Sequence, residues 1–333
     1  MTERAHIAPT ALITGASQGL GRVLAKCFWA SGYSLILVAR RHEALESLAK
    51  ELTLSLTDKH PSTIINASTR NSTGSGSTIT TNADKPPSQG ITIYSCDLAN
   101  TSSLDDLIKT LYTKHDRLDV LINNAALQGP VGPSTVAWDT NPLAYRETIQ
   151  VNLLAPIEIA SRLVPLMSQT ARAAHLSHAC IINLSGGGAT GPRANFSAYA
   201  ASKAGLVRYS ETLAEEVRGL GVTVNCIAPG AMKTGMTLEV LEKGLELAGD
   251  KEFASAQKVQ LEGGVSMERV AELALFLASA QARSITGKLI SSNWDNWREL
   301  VGQPSRLEAL SNSDLFTLRR IAGRDRDMPW ADL

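Results

Sequence analysis

The chain has 333 residues, 44% hydrophobic and 19% charged, the make-up of a folded globule with ample core. Lys and Arg total 32 and Asp and Glu total 32, so no net field favours nucleic acid or an anionic membrane. The first apolar run lies close to Met1, where no signal peptide is expected, and runs such as Ala271–Ala278 are far short of a membrane span. Cys27, Cys96, Cys180 and Cys226 are widely spaced among apolar residues, which fits free thiols in a reducing, cytoplasmic compartment.

In chain order, short β-branched runs alternate with helical patterns. Strand Ala11–Thr14 precedes a helix over Leu20–Ser31, and strand Leu35–Ala39 precedes a helix over Glu43–Leu52. Strands Ile91–Cys96 and Val120–Asn123 are followed by helices Leu104–Lys114 and Tyr145–Ala171, the former with Ser102 and Asp105 as a capping signal. Strand Cys180–Leu184 leads to helix Tyr199–Gly219, closed by Gly221. Strand Thr223–Ile227, helix Met267–Ala278 and strand Leu289–Ser292 complete the series. The strands are apolar throughout, as strands covered on both faces are, so the pattern predicts an α/β, doubly wound parallel sheet of about seven strands in a single domain. Residues 1–293 would form that domain.

Two stretches break the alternation. Residues 53–90 are rich in Ser, Thr, Asn, Gly and Pro and read as a disordered surface insertion; its sequons at Asn66 and Asn71 mean little without a secretory signal. Residues 294–333 form a C-terminal extension whose Trp294, Trp297, Leu315, Phe316 and Trp330 are expected to pack on something. Because the extension starts at the C-terminal end of the last strand, where such folds bind ligands, it would either wall the substrate mouth of its own or a neighbouring subunit, or only seal the sheet edge or an oligomer contact.

Chemistry concentrates at strand ends. Gly15, Gly19 and Gly21 lie between the first strand and its helix, where they allow a sharp turn and close approach to a pyrophosphate at the helix N-terminus. The second strand ends in Ala39, Arg40 and Arg41, with no acid to hold a ribose 2′-hydroxyl and two guanidinium groups suited to a 2′-phosphate. NADP(H) is therefore expected ahead of NAD(H). Tyr199 and Lys203 share one face of a helix at i, i+4. An ammonium about 4 Å from a phenol, at an effective dielectric of about 20, would lower its pKa by up to about three units. Ser185 follows the strand facing that helix.

Taken in order, these residues resemble the short, single-domain branch of the short-chain dehydrogenase/reductase superfamily, over about Pro9 to Ser292. The resemblance implies hydride transfer between a nicotinamide and a ketone or secondary alcohol. Tyr199 would be the general acid/base, Lys203 would tune it and hold the ribose, Ser185 would hydrogen-bond the reacting oxygen, and Asn152 would steady a proton-relay water. Gly15, Ser17, Gly19, Leu20, Gly21, Arg40, Arg41, Asp97, Leu98, Asn123, Ala125, Pro229, Gly230 and Thr234 would line the cofactor together with Tyr199 and Lys203. A homodimer or homotetramer acting on a small-molecule substrate is implied, with no nucleic acid or membrane partner.

Three departures stand out: Ala126 replaces the family's glycine, the usual closing Asp-Gly-Gly is absent, and Ser185-Gly186 replaces Ser-Ser. The commonest spacing back from Tyr199 lands on Gly186, whereas Gly188 and Gly191 fit if the loop has one extra residue and Ser185 keeps the role. No metal site is expected; His175 and His178 lack an acidic or thiol partner. Arg193 would lie at the substrate mouth, either clamping an anion or solvated. The alternatives are an NAD-linked alcohol dehydrogenase and a non-catalytic NADP(H)-binding sensor or scaffold.

Overall fold

Strands that are apolar on both faces need cover on both faces, and the computed structural model shows how they obtain it. It describes residues 8–57, 77–80, 89–173 and 178–319. β1 (Thr10–Thr14) leads into α1 (Gly19–Ala30), and β2 (Ser34–Ala39) into α2 (His42–Thr57). β3 (Ser77–Thr80) and β4 (Gly90–Ser95) precede α3 (Thr101–Lys114). After β5 (Val120–Asn123) come α4 (Ser134–Thr140), α5 (Pro142–Ile149) and α6 (Ala155–Ala173). β6 (Ala179–Leu184), α7 (Ser197–Glu216) and β7 (Val222–Ala228) follow. Then α8 (Gly235–Ala248), α9 (Asp250–Glu262), α10 (Met267–Ala278), β8 (Leu289–Ser291) and α11 (Pro304–Ser311) close the chain.

The sheet order is β3-β4-β2-β1-β5-β6-β7-β8. Every pairing is parallel except β3 with β4, so the expected seven parallel strands carry an antiparallel edge strand. The order runs outward from β1 in both directions, which opens a crevice at the C-terminal ends of β1 and β5. One face buries Ile13, Leu35, Leu37, Ile122 and Ile182 against α1, α2 and α10. The other buries Leu12, Ile36, Leu121 and Ile181 against α3 and α6. The stretch Pro142–Ala173 is long and apolar enough to cross a membrane by composition, yet 61% of its most apolar 18-residue window is buried in the fold, as in a core helix.

Several boundaries differ from expectation. The helix expected over Tyr145–Ala171 is interrupted by a π-helical turn at Gln150–Leu154. The cap of α3 is Asn100, whose side chain accepts from the Ser103 N–H, rather than Ser102. The stretch 53–90 is not wholly without structure: α2 runs through Thr57, Thr53 is buried, and β3 adds to the sheet edge. Both sequons lie outside the described residues, as do His175 and Trp330. Beyond β8, Leu289 donates its N–H to the Phe316 carbonyl at 2.7 Å, while Trp297, Leu307 and Leu310 enter the core. Trp297 stacks on Phe276 with ring centroids 6.0 Å apart, whereas Trp294 is 82% exposed. The described part of the extension therefore seals the sheet edge.

Candidate active site

The turn from β1 into α1 is shaped by its glycines. At Gly21 an added Cβ would stand 2.2 Å from the Gly15 carbonyl oxygen, so the turn closes only with glycine there. Gly19 has φ +51° and nothing within 4 Å of a Cβ position, so its backbone faces open space. Gln18 precedes α1 without a side-chain cap, and no acidic residue occupies the first turn. These uncapped N–H groups fit a pyrophosphate. Ser17 and Leu20 lie in the same turn, half-buried and buried. Asn124 braces the loop by donating to the Thr14 and Gly15 carbonyls, and the Ala125 N–H donates to Thr14 Oγ1 at 3.1 Å.

At the end of β2, Arg40 and Arg41 are exposed, and Arg41 donates to Gln18 Oε1 at 2.7 Å. This contact folds one guanidinium back toward the glycine loop. Asp97 holds the next turn by accepting from the Ala99 N–H at 3.1 Å, and Leu98 is buried beside it. Pro229 is buried after β7, its carbonyl accepting from Ser292 Oγ, and Gly230 takes φ +80°. Thr234 stands at the N-cap of α8 without capping through its side chain.

α7 brings the acid/base candidates against the end of β6. Tyr199 is 7% exposed and Lys203 2%. Lys203 Nζ donates to the Leu184 carbonyl at 2.8 Å and lies 5.7 Å from the Tyr199 ring centroid. Burial pulls the ammonium down to about 8, and burial raises the Tyr199 phenol above its ordinary value. At the phenol, burial outweighs the lowering that the i, i+4 ammonium was expected to bring. The charge that opposes burial there is Arg193, whose guanidinium lies 5.3 Å from the Tyr199 ring.

The residue against the Tyr199 hydroxyl is Gly186, where an added Cβ would stand 2.3 Å from Oη. Ser185 comes one residue earlier. Its N–H donates to Ile227, and its Oγ is buried without a protein partner. The side chain of Asn152 is occupied as a clamp: Oδ1 accepts from the Leu127 N–H at 2.8 Å, and Nδ2 donates to the Leu127 carbonyl and Ser202 Oγ.

The partners of Asn123 and of Arg193 were not foreseen. Asn123 donates to Asn183 at 2.8 Å, which donates to Ser210 Oγ at 2.7 Å, a buried polar chain from β5 to α7. Glu252 of α9 pairs with Arg193. Among the described residues no cluster of three or more His, Cys, Asp or Glu could hold a metal ion. Burial lowers the His178 imidazole below its ordinary value, against the Leu277 carbonyl beside it.

A doubly wound sheet with a glycine-turned first crossover and a Tyr–Lys helix beside it is a dinucleotide-dependent oxidoreductase architecture. The model described as short chain dehydrogenase matches residues 9–65, and the one described as Enoyl-(Acyl carrier protein) reductase matches residues 63–293. The chain belongs to the short-chain dehydrogenase/reductase family, and is an NAD(P)-dependent oxidoreductase of that family. It is 30% identical to the 3-oxoacyl-(acyl-carrier-protein) reductase FabG of Rickettsia felis over 284 residues, covering 85% of this chain and 95% of that one. Among solved structures, YwfH, an NADPH-dependent reductase involved in bacilysin biosynthesis, superposes with a TM-score of 0.65 at 24% identity, covering 85% and 96% of the chains. The 3-ketoacyl-(acyl-carrier-protein) reductase of Brucella melitensis, complexed with NADH, gives 0.63 at 22%, covering 86% and 96%.

Proposed function

We propose that the chain is an NADP(H)-dependent ketoreductase, running in reverse as a secondary-alcohol dehydrogenase, with Tyr199 as its general acid/base. The observation that carries this is the buried Tyr199 phenol, set against the bare backbone of Gly186 with Lys203 one turn along. A phenol so placed meets a substrate oxygen entering at the C-terminal ends of β5 and β6. The relatives support a ketone as substrate, since FabG of Rickettsia felis is named for reducing a 3-oxoacyl group. The YwfH title supports NADPH, and the absence of an acid at Ala39 beside Arg40 and Arg41 supports the same choice here. A small-molecule substrate and a homodimer or homotetramer complete the proposal.

The nicotinamide ring, when bound, supplies or accepts the hydride. In reduction, Tyr199 Oη gives its proton to the carbonyl oxygen as the carbon gains the hydride; in oxidation the phenolate takes that proton back. Lys203, tethered to Leu184, fixes the rear of the pocket and is poised to hold the ribose. Ser185 offers a buried hydroxyl with no protein partner as a second hydrogen bond to the reacting oxygen. Gly15, Gly19 and the N-terminus of α1 would seat the pyrophosphate, and Arg41, steered by Gln18, the 2′-phosphate.

The experiment is dinucleotide consumption with a panel of β-ketoesters and cyclic diketones. NADPH should outperform NADH in kcat/KM, Ala39→Asp should shift the ratio toward NADH, and Tyr199→Phe should cut turnover at least about 10²-fold. Equal use of both dinucleotides would refute the 2′-phosphate assignment, and a Tyr199→Phe variant close to wild type the acid/base one.

A further inference from the structure

Lys203 is a conditional charge in this site. Its ammonium gives a hydrogen bond to Leu184 and holds its proton only to about pH 8. A guanidinium keeps its charge at any working pH, and one lies close by. Arg193 rises from the loop after β6, with its Cζ 4.0 Å from the Phe196 ring centroid and 5.3 Å from that of Tyr199. The glycine run lies against it: a Cβ at Gly187 would meet Arg193 Cδ at an ordinary 3.6 Å, while one at Gly188 would stand 3.2 Å from Arg193 Cβ and closer still, 2.6 Å, to Ala200 Cβ. The opposite edge is held by Glu252, with Nε to Oε2 at 2.8 Å. Glu252 sits in the first turn of α9, whose N-cap Gly249 takes φ +79°.

We propose that Arg193 is the positioning charge for the Tyr199 phenol, and that Glu252 of α9 sets how strongly it acts. The proposal rests on Tyr199 being the acid/base. Stacked over both rings and screened from water, the guanidinium favours the phenolate and so the base form needed for alcohol oxidation. Glu252 offsets part of that field from the far side. Residues 186–196 carry no charge besides Arg193, and residues 124–133 carry none. α7 carries Lys203, Arg208, Glu211, Glu215 and Glu216, α8 Glu239, Glu242, Lys243 and Glu246, and α9 Asp250, Lys251, Lys258 and Glu262 beside Glu252. α5 brings Glu147 and Arg146, the latter lying over Trp138. Of these, Arg193 is the cation over the ring that burial cannot discharge.

The test is an ultraviolet tyrosinate titration of the whole chain, subtracting Tyr199→Phe to isolate one of the six tyrosines. The rising limb of the pH profile of alcohol oxidation with saturating NADP+, using the alcohol of the fastest β-ketoester, is the second readout. Arg193→Met should raise both midpoints by about one pH unit or more, a tenfold loss of phenolate below them. Arg193→Lys should stay closer to wild type, and Glu252→Gln should move both midpoints the opposite way. Unmoved midpoints in Arg193→Met, or shifts of the same sign in Arg193→Met and Glu252→Gln, overturn the proposal. If Arg193→Met does not fold, Glu252→Gln decides alone, since a downward shift supports the proposal and none overturns it. A Tyr199→Phe variant that still turns over ketone refutes the acid/base reading instead, whatever the titration shows.

Discussion

Gly186→Ala tests the site at its tightest point. The added methyl would stand 2.3 Å from Tyr199 Oη and 3.0 Å from Cε1 and Cζ, where ordinary contact begins at 3.4 Å. The phenol must therefore retreat by about 1 Å (3.4 less 2.3). It has little freedom to do so, because Tyr199 packs in a cluster with Val131, Phe196 and Val240. A misplacement of about 1 Å at a reacting group can cost about 10²-fold in rate. Overpacking of this kind also costs about 1–3 kcal/mol of stability, a loss of a few degrees in melting temperature. The assay is NADPH consumption with the fastest ketone at a temperature well below the melt, with dinucleotide fluorescence as a check on binding. A folded Gly186→Ala enzyme within about threefold of wild type would show that the reactive hydroxyl is not where this packing puts it.

Ser185→Ala removes one hydrogen bond to the reacting oxygen but leaves the proton donor, so it should cost less turnover than Tyr199→Phe; equal losses would refute that secondary role. Asn152→Ala orphans both backbone groups of Leu127 and should lower unfolding free energy in urea by about 2–4 kcal/mol, whereas unchanged stability would refute the clamp. Lys203→Met should stabilise the cofactor-free chain at neutral pH while abolishing turnover. Burial lowers the lysine from 10.5 to about 8, so between those values the unfolded chain binds a proton that the folded one has released, and wild-type stability gains as pH rises. The gap between wild type and Lys203→Met in urea melts should therefore shrink from pH 8 to 10.5. A constant or widening gap refutes the burial argument.

The sheet was legible because burial on both faces leaves continuous apolar runs, and these survive in any register. Val120–Asn123 and Met267–Ala278 match their elements at both ends, and the remaining expected strands match within one residue. β3 escaped notice because Ser77–Thr80 joins the sheet through its backbone while its composition reads as polar loop. α8 and α9 escaped for a related reason. Each buries few side chains, Val240 and Ala248 in one and Ala256 and Val259 in the other, so no apolar stripe marks them.

At the site, motif spacing identifies the side chains that share a location but not which of their atoms are already committed. Asn152 is where the family pattern puts it, yet both ends of its amide go to Leu127, 25 residues away. Tyr199 and Lys203 share a helix face, but the lysine is turned to Leu184 and burial works against both charges. Arg193 and Glu252 are 59 residues apart and belong to no local pattern, so their pairing appears only once α9 is folded over the loop after β6. Chemistry that depends on residue type can thus be read from spacing. Chemistry that depends on the field at one oxygen is set by burial and by charges distant in sequence, and here the two meet at Tyr199: Gly186 admits the phenol, and Arg193, held from α9 by Glu252, faces its ring.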